Sequence, residues 1–291
     1  MEHRSHYRYQ LQAYGSVMAL CLQPWQNDRQ RLTNLNIAIS PTAPLTVEQD
    51  CFGNYYHYFS IHRGHHEIEV VMTAEVELDN IHHFPATLGA DSWQELAKWR
   101  NEFSYWDFLQ PSKLTSARDL LADFIRKHGI ASTDDPLASL QQLNKTLFEC
   151  LQYKPGSTTV ASTVEHILTT GQGVCQDYAH LMIAIVRQWG IPARYVSGYL
   201  YTVEEAQNAD THSQLQQQVR QATSNATHAW VECKLPTLGW VGFDPTNGSN
   251  NDTRHVCVAV GRDYSDVPPT RGMLQGGGNA KLEVNVVMQR V

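Results

Sequence analysis

The stretch Gly171-Gln172-Gly173-Val174-Cys175-Gln176-Asp177-Tyr178 decides how this chain is read. Two glycines break the chain ahead of the cysteine. An apolar run of helical length follows, Tyr178-Ala179-His180-Leu181-Met182-Ile183-Ala184-Ile185-Val186. Glycine permits the turn because it enters positive φ without a Cβ clash. A helix that starts at Cys175 offers unpaired backbone N–H groups and a partial positive charge to that side chain. Such a start favours the thiolate, which is the nucleophilic form, and supplies donors for an oxyanion. Standing alone, the cysteine reads more readily as a packed thiol, since free cysteine is among the most buried residue types.

Two further segments turn the candidate into a constellation. Thr227-His228-Ala229-Trp230-Val231-Glu232-Cys233 alternates as a strand with histidine near its start. Gly239-Trp240-Val241-Gly242-Phe243-Asp244 is a second short strand, halted by Pro245. The connection Leu235-Pro236-Thr237-Leu238-Gly239 sets the two antiparallel, which returns Asp244 towards His228. An imidazole takes the thiol proton, and a carboxylate fixes the ring tautomer and stabilises the imidazolium. The three residues lie far apart in sequence, so only the fold can unite them.

These blocks, with Asn247-Gly248 after the second strand, resemble the three core motifs of the transglutaminase-like superfamily, in particular its bacterial branch described as cysteine proteases. Trp189-Gly190-Ile191-Pro192-Ala193-Arg194-Tyr195-Val196-Ser197-Gly198-Tyr199 is similar to the segment that links the family's cysteine helix to its sheet. Val258 to Val267 and Arg271-Gly272 resemble its C-terminal stretch, and the N-terminal part looks like the bacterial transglutaminase-like β domain that precedes the core. The resemblance implies a nucleophile at Cys175, a base at His228 and an orienting carboxylate at Asp244. It places Tyr153, and with it Asp177 and Trp230, as candidate cleft-lining residues. For Tyr153 plain packing, and for Asp177 a favourable carboxylate at the helix start, are the simpler readings. Animal transglutaminases carry tryptophan directly after the nucleophile, where this chain has Gln176, and that departure weakens a crosslinking assignment.

Organisation along the chain gives an α+β class. Residues 1–84 read as an antiparallel β-sandwich or barrel-like domain, with β spacing at Tyr7–Leu11, Ser16–Leu22, Leu35–Ile39, Tyr55–Ile61 and Glu67–Glu77. Residues 85–115 read as a linker with a short helix at Asp91–Trp99. Residues 116–291 read as the papain/transglutaminase-like core, helices first and antiparallel strands after. A helix over Ser116–His128 opens on a serine cap, and Asp135-Pro136 opens another over Leu137–Leu151. The polar, glutamine-rich stretch between Val203 and Thr227 reads as a surface loop beside the site, a candidate lid.

Composition narrows the function classes. With 291 residues and 42% hydrophobic content the chain can build a sizeable core. A net charge of −7 without a basic stripe argues against nucleic-acid binding. No apolar run spans a bilayer and no signal-like segment opens the chain, so a cytoplasmic location and no membrane partner are expected. The six cysteines show no C-x-x-C spacing, and the His62-Arg63-Gly64-His65-His66 and His82-His83 clusters lack carboxylates placed to complete a ligand set. Asn247-Gly248-Ser249-Asn250-Asn251-Asp252 reads as a turn rather than a calcium loop. Neither a metal nor a cofactor is expected. The expected activity is acyl transfer from a peptide or protein amide, with hydrolysis ahead of transfer to an amine. A non-catalytic binding module stands as the other class. Oligomeric state is not readable.

Overall fold

The computed structural model describes residues 1–79, 87–89, 91–202 and 227–290. The glutamine-rich loop lies outside the described residues. The chain opens with five strands: β1 (Glu2–Leu20), β2 (Gln30–Ser40), β3 (Thr46–Gln49), β4 (Tyr55–Ile61) and β5 (His65–Leu78). Helices α1 (Ser92–Trp99), α2 (Trp106–Leu109), α3 (Arg118–Lys127) and α4 (Pro136–Cys150) follow. Then come a two-residue strand β6 (Gln152–Tyr153), α5 (Val164–Thr170), its parallel partner β7 (Gln172–Gly173) and the long helix α6 (Cys175–Gln188). The remainder is strand: β8 (Ala193–Leu200), β9 (His228–Leu235), β10 (Gly239–Asp244), β11 (Ser249–Asn250), β12 (His255–Gly261), β13 (Thr270–Gly276) and β14 (Ala280–Val287). Among the described residues no helix is long and apolar enough to cross a membrane.

The N-terminal strands form one bent, half-barrel sheet rather than a two-sheet sandwich. The sequence suggested separate strands at Tyr7–Leu11 and Ser16–Leu22. They are one 19-residue strand, bent by irregularities between Arg8 and Ala13 and between Ala13 and Gly15. Strands β4 and β5 run along one side of β1, and β13 and β14 along the other. The C-terminal residues, grouped with the 116–291 core in the sequence reading, therefore complete the N-terminal sheet. A strand as long as β1 has backbone donors and acceptors on both edges, and β13–β14 satisfy the second edge.

The core sheet runs β11-β10-β9-β8-β12. The outer edge of β12 is closed by two buried amides from the N-terminal region. Asn54 accepts from Val260 N–H (2.8 Å) and donates to Val260 C=O (2.7 Å). Gln30 does the same for Cys257, at 2.8 and 2.7 Å. Each amide imitates a neighbouring strand, which removes an edge that would otherwise be open.

Helix α6 packs on β9 and is buried from Gln176 to Arg187. Its apolar residues surround the axis, as expected of a central helix, and each fully buried Leu or Ile contributes about 1.5–3 kcal/mol. At its C-terminal end buried Arg187 donates to the carbonyls of Phe108, Gln110, Ala193 and Arg262, at 2.8–3.3 Å. These bonds hold the helix against three segments of chain. Helix α4 starts as expected, with Asp135 accepting from Leu137 and Ala138 N–H ahead of Pro136. Helix α3 does not take its serine cap: Ala117 stands at the N-cap position and no side chain bonds there.

Candidate active site

Each of the three sequence blocks delivers its side chain from an element terminus. Cys175 is the first residue of α6, His228 the first of β9 and Asp244 the last of β10. The β9–β10 hairpin pairs Leu235 with Gly239 and Phe243 with Val231, which folds Asp244 back to His228. On the other flank β8 pairs with β9 so that Gly198 faces His228 and Arg194 faces Glu232. Arg194 and Glu232 form a nearly buried ion pair at 2.6 Å that pins this register. A Cβ at Gly198 would come within 2.1 Å of Val256 C=O and 2.5 Å of the Trp230 ring, so only glycine fits there.

The turn into α6 works differently from its sequence reading. The left-handed residue is Gly171, at φ +68°, which ends α5. Gly173 has no positive φ. It is glycine because a Cβ there would meet the Asp177 Cβ at 2.7 Å. Asp177 crowds that spot because its carboxylate folds back to accept from Val174 N–H (2.8 Å) and from Thr158 Oγ1–H (2.7 Å). This is the N3 half of a capping box, since Val174 has no acceptor to return. Asp177 thus fixes the residue directly before Cys175. Burial pushes its carboxyl up, against the bonds from Val174 and Thr158 that stabilise the anion.

Cys175, half-buried, interacts through its side chain with His228, whose Nε2–H donates to Asp244 Oδ2 at 2.8 Å. Burial alone would lower the His228 imidazole. The charge and hydrogen bond of Asp244, followed by those of Cys175, outweigh it and raise the group to about 10. Asp244 is fully buried, which on its own would raise its carboxyl, but His228 and His255 hold it well below the usual carboxylate range. Its Oδ1 accepts from Thr246 N–H (3.0 Å) and Asn247 N–H (3.2 Å), and Oδ2 from Asn247 Nδ2–H (2.7 Å). The site sets a thiol beside an imidazole that a locked carboxylate keeps well above its ordinary range. The N–H of Cys175 has no backbone acceptor among the described residues.

The other sequence candidates take different places. Tyr153 lies in β6 beside Gly173, with its ring 6.4 Å from that of Tyr178. Trp230 does not line a cleft, because it is fully buried. It supports the site from beneath, stacked on His228 at 6.2 Å and meeting His255 edge-on at 5.2 Å. Gln176 is buried and donates to Val160 C=O at 3.2 Å, tying the helix start to the preceding loop. His255, Asn247 and Asp252 join the site without having been singled out as site residues in the sequence. Asn247 carried a signal as an amide in the turn after Asp244, whereas His255 carried none. The donor atoms of His228, Asp244 and His255 lie within 4.8 Å of one another, a spacing that their mutual hydrogen bonds account for.

A thiol, an imidazole and a carboxylate presented by a helix start and two antiparallel strands define a class of cysteine-centred sites. Residues 125–245 match the model of the transglutaminase-like superfamily, and residues 1–77 match the bacterial transglutaminase-like N-terminal region. An uncharacterized protein of Mycobacterium tuberculosis is 31% identical, over 98% of this chain and 90% of its own length. The chain belongs to the transglutaminase-like superfamily. A protein-glutamine gamma-glutamyltransferase of Pseudomonas aeruginosa is 30% identical over 164 residues, 56% of this chain but 22% of that protein. A crystal structure from Cytophaga hutchinsonii, provisionally assigned as a cysteine protease, shares the fold with a TM-score of 0.67 at 18% identity, covering 100% of this chain and 92% of that one.

Proposed function

We propose that this protein cleaves amide bonds through an acyl-enzyme on Cys175, with His228 and Asp244 completing a catalytic triad. The observation that carries this reading is the contact chain itself: Cys175 at the first turn of α6, His228 between it and Asp244, and Asp244 buried among donors. The Cys175 thiolate attacks the carbonyl carbon, and the charge that develops on oxygen is met by the Cys175 N–H. The His228 imidazolium passes its proton to the leaving amine as the C–N bond breaks. His228, now neutral, takes a proton from the incoming acceptor, and the thioester is released as acid or as a new amide. Asp244 keeps the ring in the productive tautomer throughout.

Water is the acceptor we favour, because Gln176 stands where crosslinking relatives carry tryptophan and the Asn247–Asp252 turn offers no acidic calcium loop. Transfer to an amine is the second reading, favoured by the similarity to the Pseudomonas glutamyltransferase. A peptide library analysed by mass spectrometry, run with and without a fluorescent primary amine, separates them. Hydrolysis gives cleaved or deamidated peptides whether or not amine is present. Amine incorporation that exceeds hydrolysis would reverse the preference, and neither product from a folded wild type would defeat the enzymatic reading.

A further inference from the structure

We propose that His255 is a positioning residue for the triad, holding the Asp244 carboxylate in place from the far edge of the core sheet. The proposal rests on the triad reading of Cys175, His228 and Asp244. His255 is the first residue of β12, which β8 and β9 separate from β10 in the sheet order. Its side chain is 1% exposed, and Nε2–H donates to Asp244 Oδ2 at 3.2 Å, the same oxygen that receives His228 at 2.8 Å. The other donors to Asp244, from Thr246 and Asn247, belong to the turn that Asp244 itself opens. They hold the carboxylate to its own turn. Among the described residues, only the two imidazoles tie it to other strands.

His255 is in turn prevented from rotating. Its Nδ1 lies 3.2 Å from Asp252 Oδ1, and the Trp230 ring closes one side edge-on at 5.2 Å. Asp252 is set by Arg254, whose N–H and Nε–H donate to it at 2.9 and 2.8 Å. The result is a continuous row, Cys175–His228–Asp244–His255–Asp252. The charged groups facing His255 are Asp244, His228 and Asp252, with Arg254 behind the last. Burial would lower this imidazole, but the two carboxylates outweigh it and raise the group, which keeps its Nε2 proton available as a donor. His255 lies between two carboxylates and shares an acceptor oxygen with the base of the triad. If its bond is lost, Oδ2 is held only from its own turn and by the His228 ring it must orient. A sub-ångström displacement there is enough to slow the chemistry.

The test compares His255→Phe, which keeps the aromatic contact with Trp230, His255→Gln, which keeps an N–H donor, and Asp252→Asn. The readouts are the iodoacetamide rate at Cys175 at pH 7, with Cys51 as internal reference, and the proton resonance of the His228 Nε2–H in histidine-labelled protein. In His255→Phe the Cys175 rate should fall roughly tenfold and the resonance should move, with the Cys51 rate unchanged. His255→Gln should recover to within about threefold of wild type, and Asp252→Asn should fall by roughly threefold. Thermal unfolding identifies variants that fail to fold, in which case His255→Gln and Asp252→Asn decide. Folded His255 and Asp252 variants with a Cys175 rate within about twofold of wild type and an unmoved resonance would overturn the proposal alone. A wild-type Cys175 no faster than Cys51, or indifferent to His228→Ala, would overturn the triad and this proposal with it.

Discussion

Two histidines in this protein, one buried and one half-buried, show how one residue type acquires opposite character. His180, in the middle of α6, is fully buried and its Nε2 accepts from Tyr264 N–H at 3.1 Å. Burial lowers it to about 4, outweighing the Asp263 charge, and it stays neutral. His228, at the start of β9, is also largely removed from water, yet hydrogen bonds and charges from Asp244 and Cys175 raise it to about 10. Burial by itself discharges an imidazole. A carboxylate in hydrogen-bond contact, itself held by backbone donors, reverses the outcome. The same helix that hides His180 presents Cys175 at its open end, so one element supplies both the neutral imidazole of the core and the thiol of the site.

The comparison breaks most completely at the nucleophile. Cys175→Ala should abolish turnover and acyl-probe labelling while leaving the fold intact, since the half-buried thiol makes no packing contribution comparable to the core of α6. Asp244→Asn should come next, because it removes what separates His228 from His180. Turnover should drop by roughly 10²–10⁴-fold with little change in KM. Asp177→Ala should act more gently, through the Val174 bond. We expect a loss of about 1 kcal/mol in unfolding free energy and a several-fold slower Cys175 alkylation.

The pH dependence of stability sharpens the contrast. His180 is depressed on folding, so between pH 6.5 and about 4 the unfolded chain binds a proton that the folded chain refuses. Stability is therefore complete above 6.5 and falls through that window by on the order of 3 kcal/mol. His3, lowered to about 4 by burial, adds to the same limb. His228 runs the other way: its contribution is complete below pH 6.5 and is lost as pH rises towards 10. Denaturant titrations across pH should show His180→Asn flattening the acid limb and Asp244→Asn flattening the alkaline one. Unchanged limbs in both variants would contradict the contrast.

Much of the site was legible because its signals are local. A glycine-broken turn before an apolar run, an alternating strand with histidine at its head, and a hairpin ending on Asp-Pro each occupy about eight residues of contiguous sequence. What was not legible depends on pairing across long distances. The stretch around Gln12 to Gly15 reads as a break, yet β1 continues through it because β13, from the other end of the chain, supports it. Trp230 reads as a wall of the cleft from its place beside His228. It is buried because Gly198, on the neighbouring strand, leaves room beneath. His255 has no local signature at all, and its bond to Asp244 exists only once β8 and β9 have set the spacing of the sheet.

The central claim is that the fold makes Cys175 a nucleophile, and the rate of its alkylation tests this most directly. Burial pushes Cys21 up to about 12 and Cys150 up to about 11, and raises Cys233 and Cys257 further, while Cys51 is exposed and serves as the reference thiol. With limiting iodoacetamide at pH 7 and peptide-resolved mass spectrometry, Cys175 should be modified at least about tenfold faster than Cys51, and His228→Ala should erase that advantage. A Cys175 that reacts no faster than Cys51 in the folded wild type would contradict the account.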